Sequence, residues 1–426
     1  MGSTQHTIDL EKDINVHFED RQKSRAFFAF LWILYAVVYL TKNCFNGALS
    51  AIVTEGMMTK SQTGLITGIF YLVYAPGQVI GGFVSDRFSP EKLIRFGLLG
   101  AALSNAIIFF NQNYYVMLGA WTFNAIVQFG IWPSVFKIVS SQLVRSDRKQ
   151  MILLISFSGT GGLVLSYLVA AFVSDWRHNF AISAVLLVFF AVTIHFVCRW
   201  VSPCLHRDAP AKIQPDADHP GTSQSTMQVF SANGFFYILA ATLLSVVVTQ
   251  SCSSLAPVML VESYADISPT IGNLLNIILL VSGIIGTLAA NAFIIRRVKN
   301  HPKAIAISFL FCLPACVACT LIGKIPAMGV LALMCIISCV HNVVALIRSN
   351  YTATFVRYGK NGTAAGIINA VTAVSFMLAA YVVPLLEEAL GWNLALWSWP
   401  ILIALTIPLC LLAGRLFARF SGLSEK

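Results

Sequence analysis

The stretch AFFAFLWILYAVVYLTKNCFNGALSAIV, residues 26–53, decides the fold because it is long, apolar and almost free of charge. A helix needs about 20 predominantly apolar residues to cross the hydrocarbon core of a bilayer. Lys42 carries the one charge in the stretch. The stretch therefore predicts a membrane-spanning helix with a lysine in its interior.

Eleven similar apolar runs follow along the chain. With the first run, six stand before a polar segment and six after it. Together they predict an all-α membrane protein of twelve spans, at 26–53, 62–85, 93–111, 114–140, 150–173, 179–201, 232–261, 269–295, 303–323, 327–356, 363–386 and 393–418. The expected organisation is a tail (1–25), a six-helix half (26–201), a flexible cytoplasmic linker (202–231), a second half (232–418) and a tail (419–426). Repeated halves of six spans are typical of one large transporter class.

The composition excludes a soluble protein. Of 426 residues, 57% are hydrophobic and 11% are charged, and the mean hydropathy is +0.76. A soluble domain carries about 25% charged residues, so a water-facing surface could not be covered. The same figures exclude a disordered chain and a small disulfide scaffold.

The basic residues set the orientation. With the N-terminus in the cytoplasm, 22 of the 28 Lys and Arg fall in inward loops and tails and three fall in outward loops. Short cytoplasmic loops are enriched in Lys and Arg. We therefore expect a multi-pass cell-membrane protein with both termini in the cytoplasm. The net charge of +10 then follows from topology, and nucleic-acid binding is not expected.

The remaining three cations, Lys42, Lys137 and Arg348, fall inside predicted spans, whereas all 18 Asp and Glu fall in tails, loops or span ends. A cation at the bilayer centre costs roughly 2.5–3.5 kcal/mol on the insertion scale. An anion supplied by a substrate would offset this cost. Lys42 is too deep to reach water easily, so we expect it to bind substrate, whereas Lys137 and Arg348 lie nearer the cytoplasmic end and could extend towards water.

Polar and aromatic residues recur around these cations. Tyr35, Tyr39, Lys42 and Asn46 follow at helical spacing and share one face of span 1. Hydrogen bonding between helices would explain part of this pattern, but the number of such residues favours an aqueous cavity between the halves. The other candidate substrate-binding residues on this ground are Tyr74, Gln78, Gln128, Trp132, Thr249, Gln250 and Arg348.

His341 in span 10 is a possible titrating group, although a lone histidine is more often a hydrogen-bonded packing residue. The ten cysteines lie almost all in apolar runs and form no metal-binding pattern with histidine, so we read them as packing residues. No ATP-binding loop, zinc-protease motif, nucleophile elbow or paired carboxylates occur. The sequence thus predicts neither an enzyme nor a metal or cofactor site.

The segment GGFVSDRFSPEKLIR (81–95) resembles the signature loop of the major facilitator superfamily, in which a glycine is followed four residues later by Asp-Arg and then by basic residues. With twelve spans in two halves, the resemblance covers nearly the whole chain. It implies that Gly82, Asp86 and Arg87 form a conformational latch.

Within that superfamily the first half resembles the organophosphate–phosphate antiporters. YLTKNCF (39–45) is similar to their YLxRKxF, SDRFSP (85–90) to SDRSNP, and IWPSVFK (131–137) to GWPPCGR. The small-residue runs SFSGTGG (156–162) and NGTAAG (361–366) also match, and such runs allow helices to approach closely.

This resemblance implies that Lys42 stands where the antiporters have a substrate-phosphate arginine, and that Tyr35, Tyr39 and Tyr74 line the cavity. Three anion-binding positions differ from the family pattern. Its cavity lysine falls on Gln78, its span 5 histidine on Ser158, and its second phosphate arginine on Thr249 or Gln250. Phosphate dianions are usually held by bidentate arginines, so a single deep lysine suits a monoanion or a zwitterion with a carboxylate better.

The resulting hypothesis is a secondary active transporter, monomeric by family expectation, that moves a small organic anion by alternating access. Two alternatives stay open. The protein could export amphipathic, drug-like compounds bound by aromatic side chains, or it could be a membrane sensor that binds a ligand without transporting it.

Overall fold

In the computed structural model the predicted spans are helical. The structure describes residues 16–144, 146–207, 225–293, 297–355, 358 and 360–421. The first half contains the helices α1 (Arg21–Thr54), α2 (Lys60–Arg87), α3 (Pro90–Phe110), α4 (Tyr114–Gln128), α5 (Ile131–Ser141), α6 (Arg148–Phe172) and α7 (Arg177–Val201).

The rest of the chain contains α8 (Thr226–Asn233), α9 (Phe235–Ser263), α10 (Pro269–Phe293), α11 (His301–Cys319), α12 (Ala327–Ala353), α13 (Asn361–Ala395) and α14 (Ser398–Ser421). Among the described residues, ten helices are long and apolar enough to cross a membrane. α2 and the consecutive helices α4 and α5 occupy the other two predicted spans. The prediction of an all-α membrane protein is confirmed.

Two details depart from the predicted spans. Span 4 is divided between α4 and α5, because Pro133 has no N–H to donate to the carbonyl of Phe129 and Gly130 stands beside the break. α13 continues past its predicted end at residue 386, but its backbone is not helical at Gly391 (φ 75°, ψ 164°), where a kink separates it from a last helical segment that ends at Ala395. Glu387 therefore lies within a helix and is buried, not in a loop as expected.

The described chain divides into two compact units. The first comprises the described residues within 1–52 and 73–213, and the second comprises those within 53–72 and 214–426. Each unit has its own apolar core. Helix α2 contributes to both units, because its first part belongs to the second unit and its remainder to the first. The sequence prediction had placed all of this helix in the N-terminal half.

The N-terminal tail and the linker meet in a small sheet. Strand β1 (Val16–Phe18) pairs antiparallel with β2 (Leu205–Arg207), and Phe18 is buried. The linker thus begins with a 3-10 turn (Ser202–Cys204) followed by a strand, and it ends in α8, whose first turn carries a capping box formed by Ser225 and Gln228. Residues 208–224, between these elements, lie outside the described residues.

Asp147, in the connection between α5 and α6, accepts hydrogen bonds from Arg21 at 2.7 and 2.8 Å and from Arg25 at 3.0 Å. The pKa of Asp147 lies well below its usual range, mainly because its carboxylate accepts hydrogen bonds from Arg21. The contacts fix the start of α1 to this connection, and Phe18 adds a backbone hydrogen bond to Gln142 at 2.9 Å.

We expect Asp147→Asn to lower the thermal midpoint of the purified protein at pH 7. Since the folded carboxylate has a depressed pKa, its stabilisation is complete above the unfolded value of about 4 and is lost as the pH falls through the folded value. The difference in thermal midpoint between the wild type and Asp147→Asn should therefore become smaller below about pH 4. A difference that widened in acid would contradict this account.

Candidate functional site

Helix α1 carries the candidate cation. Lys42 lies twelve residues before Thr54, about 18 Å along the helix axis, and its residue is 9% exposed. α1 is helical through this position, so its backbone groups are paired within the helix, and the lysine side chain is buried inside the described chain. A charge at this depth needs electrostatic support from its surroundings.

Aromatic rings supply part of that support. The Lys42 Nζ lies 3.5 Å from the centroid of the Tyr74 ring and 5.4 Å from that of Tyr39. The Tyr35 ring lies 5.3 Å from Tyr39 and 4.7 Å from Trp132. Cation–π contacts stabilise an ammonium group by about 0.5–2 kcal/mol but leave its formal charge in place.

The glycines of α6 allow this arrangement. A Cβ atom on Gly159 would lie 3.1 Å from the ring of Tyr39. One on Gly162 would overlap the carbonyl oxygen of Ala36 and lie 2.6 Å from the Tyr39 Cβ. The expected close approach of a small-residue run is therefore present at α6. It is absent at Gly366 of the matching run in α13, where a Cβ atom would meet nothing within 4 Å.

Polar side chains of the first unit offer hydrogen-bonding capacity that the described chain does not use. Gln128 donates to Asn124 at 2.6 Å, and Asn46 donates to Asn43 at 3.3 Å. The Gln128 Oε1, Asn124 Nδ2 and Asn46 Oδ1 atoms are buried and make no hydrogen bond within the described residues. Ser158 is different, because its hydroxyl donates to the carbonyl of Ile155 in its own helix.

In the second unit, Arg348 is 7% exposed, and its Nη2 donates to the hydroxyl of Ser245 at 3.0 Å. A guanidinium has five N–H donors, and this is the hydrogen bond that it makes within the described residues. Thr249 is one turn further along α9, but its hydroxyl donates to the carbonyls of Ser245 and Val246. Arg348 thus keeps donors for an anion, whereas the Thr249 hydroxyl is engaged by its own helix.

The structure shows fewer contacts for the other predicted site residues. His341 lies on α12, two turns before Arg348, and is half-buried. Gln250 is half-buried on α9, and its backbone carbonyl accepts from Ser254. The side chains of Gln78, Asp86 and Arg87, and residue Gly82, lie outside what the structure describes, although α2 continues through these positions. The latch that they were predicted to form stays a prediction.

Lys137 has a structural contact. Its ammonium group donates to the carbonyl of Ser85 at 2.7 Å, in the last turn of α2. A cation at this position satisfies a helix-terminal carbonyl and interacts favourably with the helix dipole.

The sequence analysis did not predict one cluster of charged residues. Lys60 lies between Glu262 and Glu387, at 2.8 and 2.5 Å. Lys60 had been placed in an outward loop and Glu387 just beyond a span, with no reason to pair them. The available signal was the Glu387–Glu388 pair in an apolar region that carries few acids.

The chain was compared with known families and proteins. The model of the Major Facilitator Superfamily matches residues 31–380. The membrane sensor protein UhpC of Salmonella typhimurium is 27% identical over 173 residues, which cover 40% of this chain and 38% of the relative. A probable hexose phosphate transport protein of Chlamydia pneumoniae is 25% identical over 163 residues, covering 37% of this chain and 35% of the relative. The matched part thus spans little more than a third of each relative's length.

Solved structures share the fold along almost the whole chain. A bacterial homologue of the human lysosomal transporter Spinster, in an inward-facing and occupied conformation, superposes with a TM-score of 0.70. The superposition covers 95% of this chain and 98% of that one, at 14% identity. At this identity the likeness shows the fold alone.

Proposed function

Because the chain belongs to the Major Facilitator Superfamily, we propose that it is a secondary active transporter that moves a small organic anion, or a zwitterion with a carboxylate, by alternating access. The chain is a multi-pass membrane protein of this superfamily. The nature of the substrate, the cytoplasmic position of both termini and the monomeric state are parts of the proposal.

The observation that carries the proposal is the position of Lys42. Its ammonium group is buried at membrane depth, and the contacts described above are to the rings of Tyr74 and Tyr39. Aromatic faces lower the cost of burying a cation without cancelling its charge. A substrate anion beside the ammonium would cancel that charge and gain a strong, charge-assisted hydrogen bond.

The residues around Lys42 narrow the class of anion. Phosphate dianions are generally held by bidentate arginines, and the cation at this position is the single ammonium group of Lys42, beside the rings of Tyr74 and Tyr39. The unused Asn124 Nδ2 would donate a hydrogen bond to a polar substrate, and the unused Gln128 Oε1 would accept one from it. This supports a monoanion or a carboxylate-bearing zwitterion with further polar groups.

Binding would also drive the conformational change. A ligand shifts an equilibrium between conformations by the difference between its affinities for them. An anion that neutralises Lys42 lowers the cost of a conformation in which water is excluded from the site. Substrate binding is then coupled to the step that closes the site around it.

A thermal-shift screen of the purified protein tests the proposal. The panel contains phosphate esters, carboxylates, amino acids, nucleosides and amphipathic dyes. A ligand that binds the folded state raises the melting temperature with its concentration. We expect a small organic anion to raise it in wild type and to lose this effect in Lys42→Ala. Stabilisation by dyes alone, unchanged in Lys42→Ala, would favour the exporter alternative.

Tyr74 provides a finer prediction. Tyr74→Phe keeps the ring that positions the Lys42 ammonium group for the anion, whereas Tyr74→Leu removes this cation–π contact, which is worth about 1 kcal/mol. We expect Tyr74→Phe to bind the anion as wild type does and Tyr74→Leu to bind it roughly fivefold more weakly. Titration by isothermal calorimetry measures both. If both variants bound the anion equally weakly, the loss would come from the hydroxyl group of Tyr74 and not from its ring.

A sensor that binds an anion without moving it is the second candidate, and the similarity to the UhpC sensor protein favours it. Counterflow of a labelled anion in proteoliposomes distinguishes the two functions. A transporter accumulates label against unlabelled anion inside the vesicle, whereas a sensor binds the label and accumulates none.

A further inference from the structure

Helices α3 and α7 pack against each other in the first unit and expose apolar side chains beside their contact. Phe96 on α3 and Phe196 on α7 are 66% and 62% exposed. Leu103 continues the exposed face of α3 towards its end, and Val192 continues that of α7. Exposed apolar patches of this kind mark a surface that contacts a membrane or a partner, and in spanning helices they meet lipid.

A charged group lies between the two helices near one end of this surface. The Nδ1 atom of His195 on α7 lies 2.8 Å from the Glu91 Oε1 and 3.3 Å from the Arg95 Nη1, both on α3. The Arg95 Nη1 lies 3.6 Å from the same carboxylate oxygen. All three side chains are partly exposed. In the predicted orientation this is the cytoplasmic end of both helices.

The His195 Nδ1 atom can form a hydrogen bond with one of these two neighbours at a time. A ring nitrogen either carries a hydrogen and donates it or carries a lone pair and accepts. The carboxylate of Glu91 can accept, whereas the guanidinium of Arg95 can donate. Because the contact with Glu91 is shorter and its acceptor is charged, we assign the hydrogen to Nδ1. His195 then donates to Glu91 and accepts nothing from Arg95 at this atom.

Arg95 therefore keeps donors that this group does not use. Its contact with Glu91 is longer than a hydrogen bond, and its Nε makes no hydrogen bond within the described residues. The side chain is 39% exposed, beside Phe96 and about 8 Å along the axis from the start of α3. At this depth the acceptors outside the protein are the phosphates of lipid headgroups.

A second cation lies one turn further towards the same side of the membrane. Arg199 follows His195 by four residues, in the last turn of α7, and is exposed. The neighbouring Trp200 is 48% exposed, and tryptophan is enriched where the membrane meets water. Two arginines, opposed by the single carboxylate of Glu91, thus lie at the end of an apolar surface.

We infer that the cytoplasmic ends of α3 and α7 form a binding site for an anionic phospholipid. Arg95 donates to the phosphodiester, Arg199 favours a headgroup without a cation of its own, and the rings of Phe96 and Phe196 contact the acyl chains. Basic pockets between spanning helices on the cytoplasmic side bind such headgroups. A soluble phosphate would gain nothing from the exposed rings. The inference depends on membrane depth and does not depend on the proposed substrate.

Native mass spectrometry of the purified, delipidated chain tests this site. The protein is titrated with phosphatidylglycerol and with phosphatidylcholine of the same acyl chains. We expect one phosphatidylglycerol to bind about fivefold more tightly than phosphatidylcholine, since one cation near the surface contributes about this factor. Arg199→Gln should weaken phosphatidylglycerol binding about fivefold for the same reason. Arg95→Gln should weaken it about tenfold, because it also loses a charge-assisted hydrogen bond.

Two variants test the assigned hydrogen bond, and they are expected to act in opposite directions. Glu91→Gln removes the charge that competes with the lipid for Arg95, so phosphatidylglycerol should bind about twofold more tightly, which is the size of an ion pair four residues apart on a helix. His195→Phe releases Glu91 to pair with Arg95, so binding should weaken by about the same factor. A group that only held α3 against α7 would not produce this pair of effects.

Arg419→Gln is the matched control, because Arg419 is an exposed arginine in the last turn of α14, predicted on the same side of the membrane. It should leave phosphatidylglycerol binding unchanged. Size-exclusion elution shows which variants fold, and Glu91→Gln, from which tighter binding is expected, decides the matter if Arg95→Gln does not fold.

Equal binding of the two lipids would overturn the inference, as would equal weakening by Arg419→Gln and Arg95→Gln. Displacement of the lipid by millimolar inorganic phosphate or glycerol phosphate would assign the site to a soluble anion and overturn it too. Anion binding at Lys42 is measured separately with soluble ligands. The lipid site can therefore fail while the proposed function stands, and the reverse can also occur.

Discussion

Replacing Lys42 with alanine is expected to lower uptake of the bound anion by at least about a hundredfold, or about 2.7 kcal/mol of lost binding energy. The change removes the charge that the substrate neutralises and leaves an apolar space beside Tyr74. The protein should still fold, because a buried cation that is removed takes its own desolvation cost with it. Uptake into proteoliposomes and size-exclusion elution of the purified variant measure the two effects.

Two further variants sharpen this result. Lys42→Arg keeps the cation and should retain uptake, since a guanidinium also binds carboxylate and phosphate. Lys137→Met removes another cation of the predicted spans, one whose contact is the carbonyl of Ser85, and should leave uptake within about threefold of wild type. Unchanged uptake in a folded Lys42→Ala protein would remove the binding role of this residue.

Much of the fold follows from patterns that a sequence displays directly. A bilayer imposes a minimum apolar length on each helix, so apolar runs predict the spans. The break at Gly130–Pro133, the extension of α13 beyond residue 386 and its kink at Gly391 are set by local backbone geometry and tertiary packing. An apolar-run criterion does not detect them.

The candidate site was partly predictable for a similar reason. Helical spacing placed Tyr35, Tyr39 and Lys42 on one face, and the structure brings their side chains together with Tyr74 and Trp132. Their role in binding stays a prediction.

Spacing did not reveal which polar groups are already satisfied. The hydroxyls of Ser158 and Thr249 bond to carbonyls of their own helices, as serine and threonine often do. Nor did it reveal the pairing of Lys60 with Glu387, because these residues are more than 300 positions apart in the chain.

Gly162→Ala is expected to destabilise the folded protein by about 2 kcal/mol or more, since overpacking a tight contact costs roughly 1–3 kcal/mol. The added methyl group would overlap the carbonyl oxygen of Ala36 and press on the Tyr39 Cβ. α6 would have to move away from α1, and the ring of Tyr39 would move with its helix. The thermal midpoint in detergent, followed by fluorescence-detected size exclusion, measures the loss.

Gly366→Ala is the matched control, because Gly366 lies in the corresponding small-residue run and a methyl group there would meet nothing within 4 Å. Alanine favours a helix over glycine by about 1 kcal/mol, so this variant should melt at the wild-type temperature or slightly above it. The two substitutions are chemically identical and differ in what surrounds the added carbon. Equal melting temperatures for both variants would show that α1 and α6 can separate at no cost, and the packing that positions the rings around Lys42 would then need another origin.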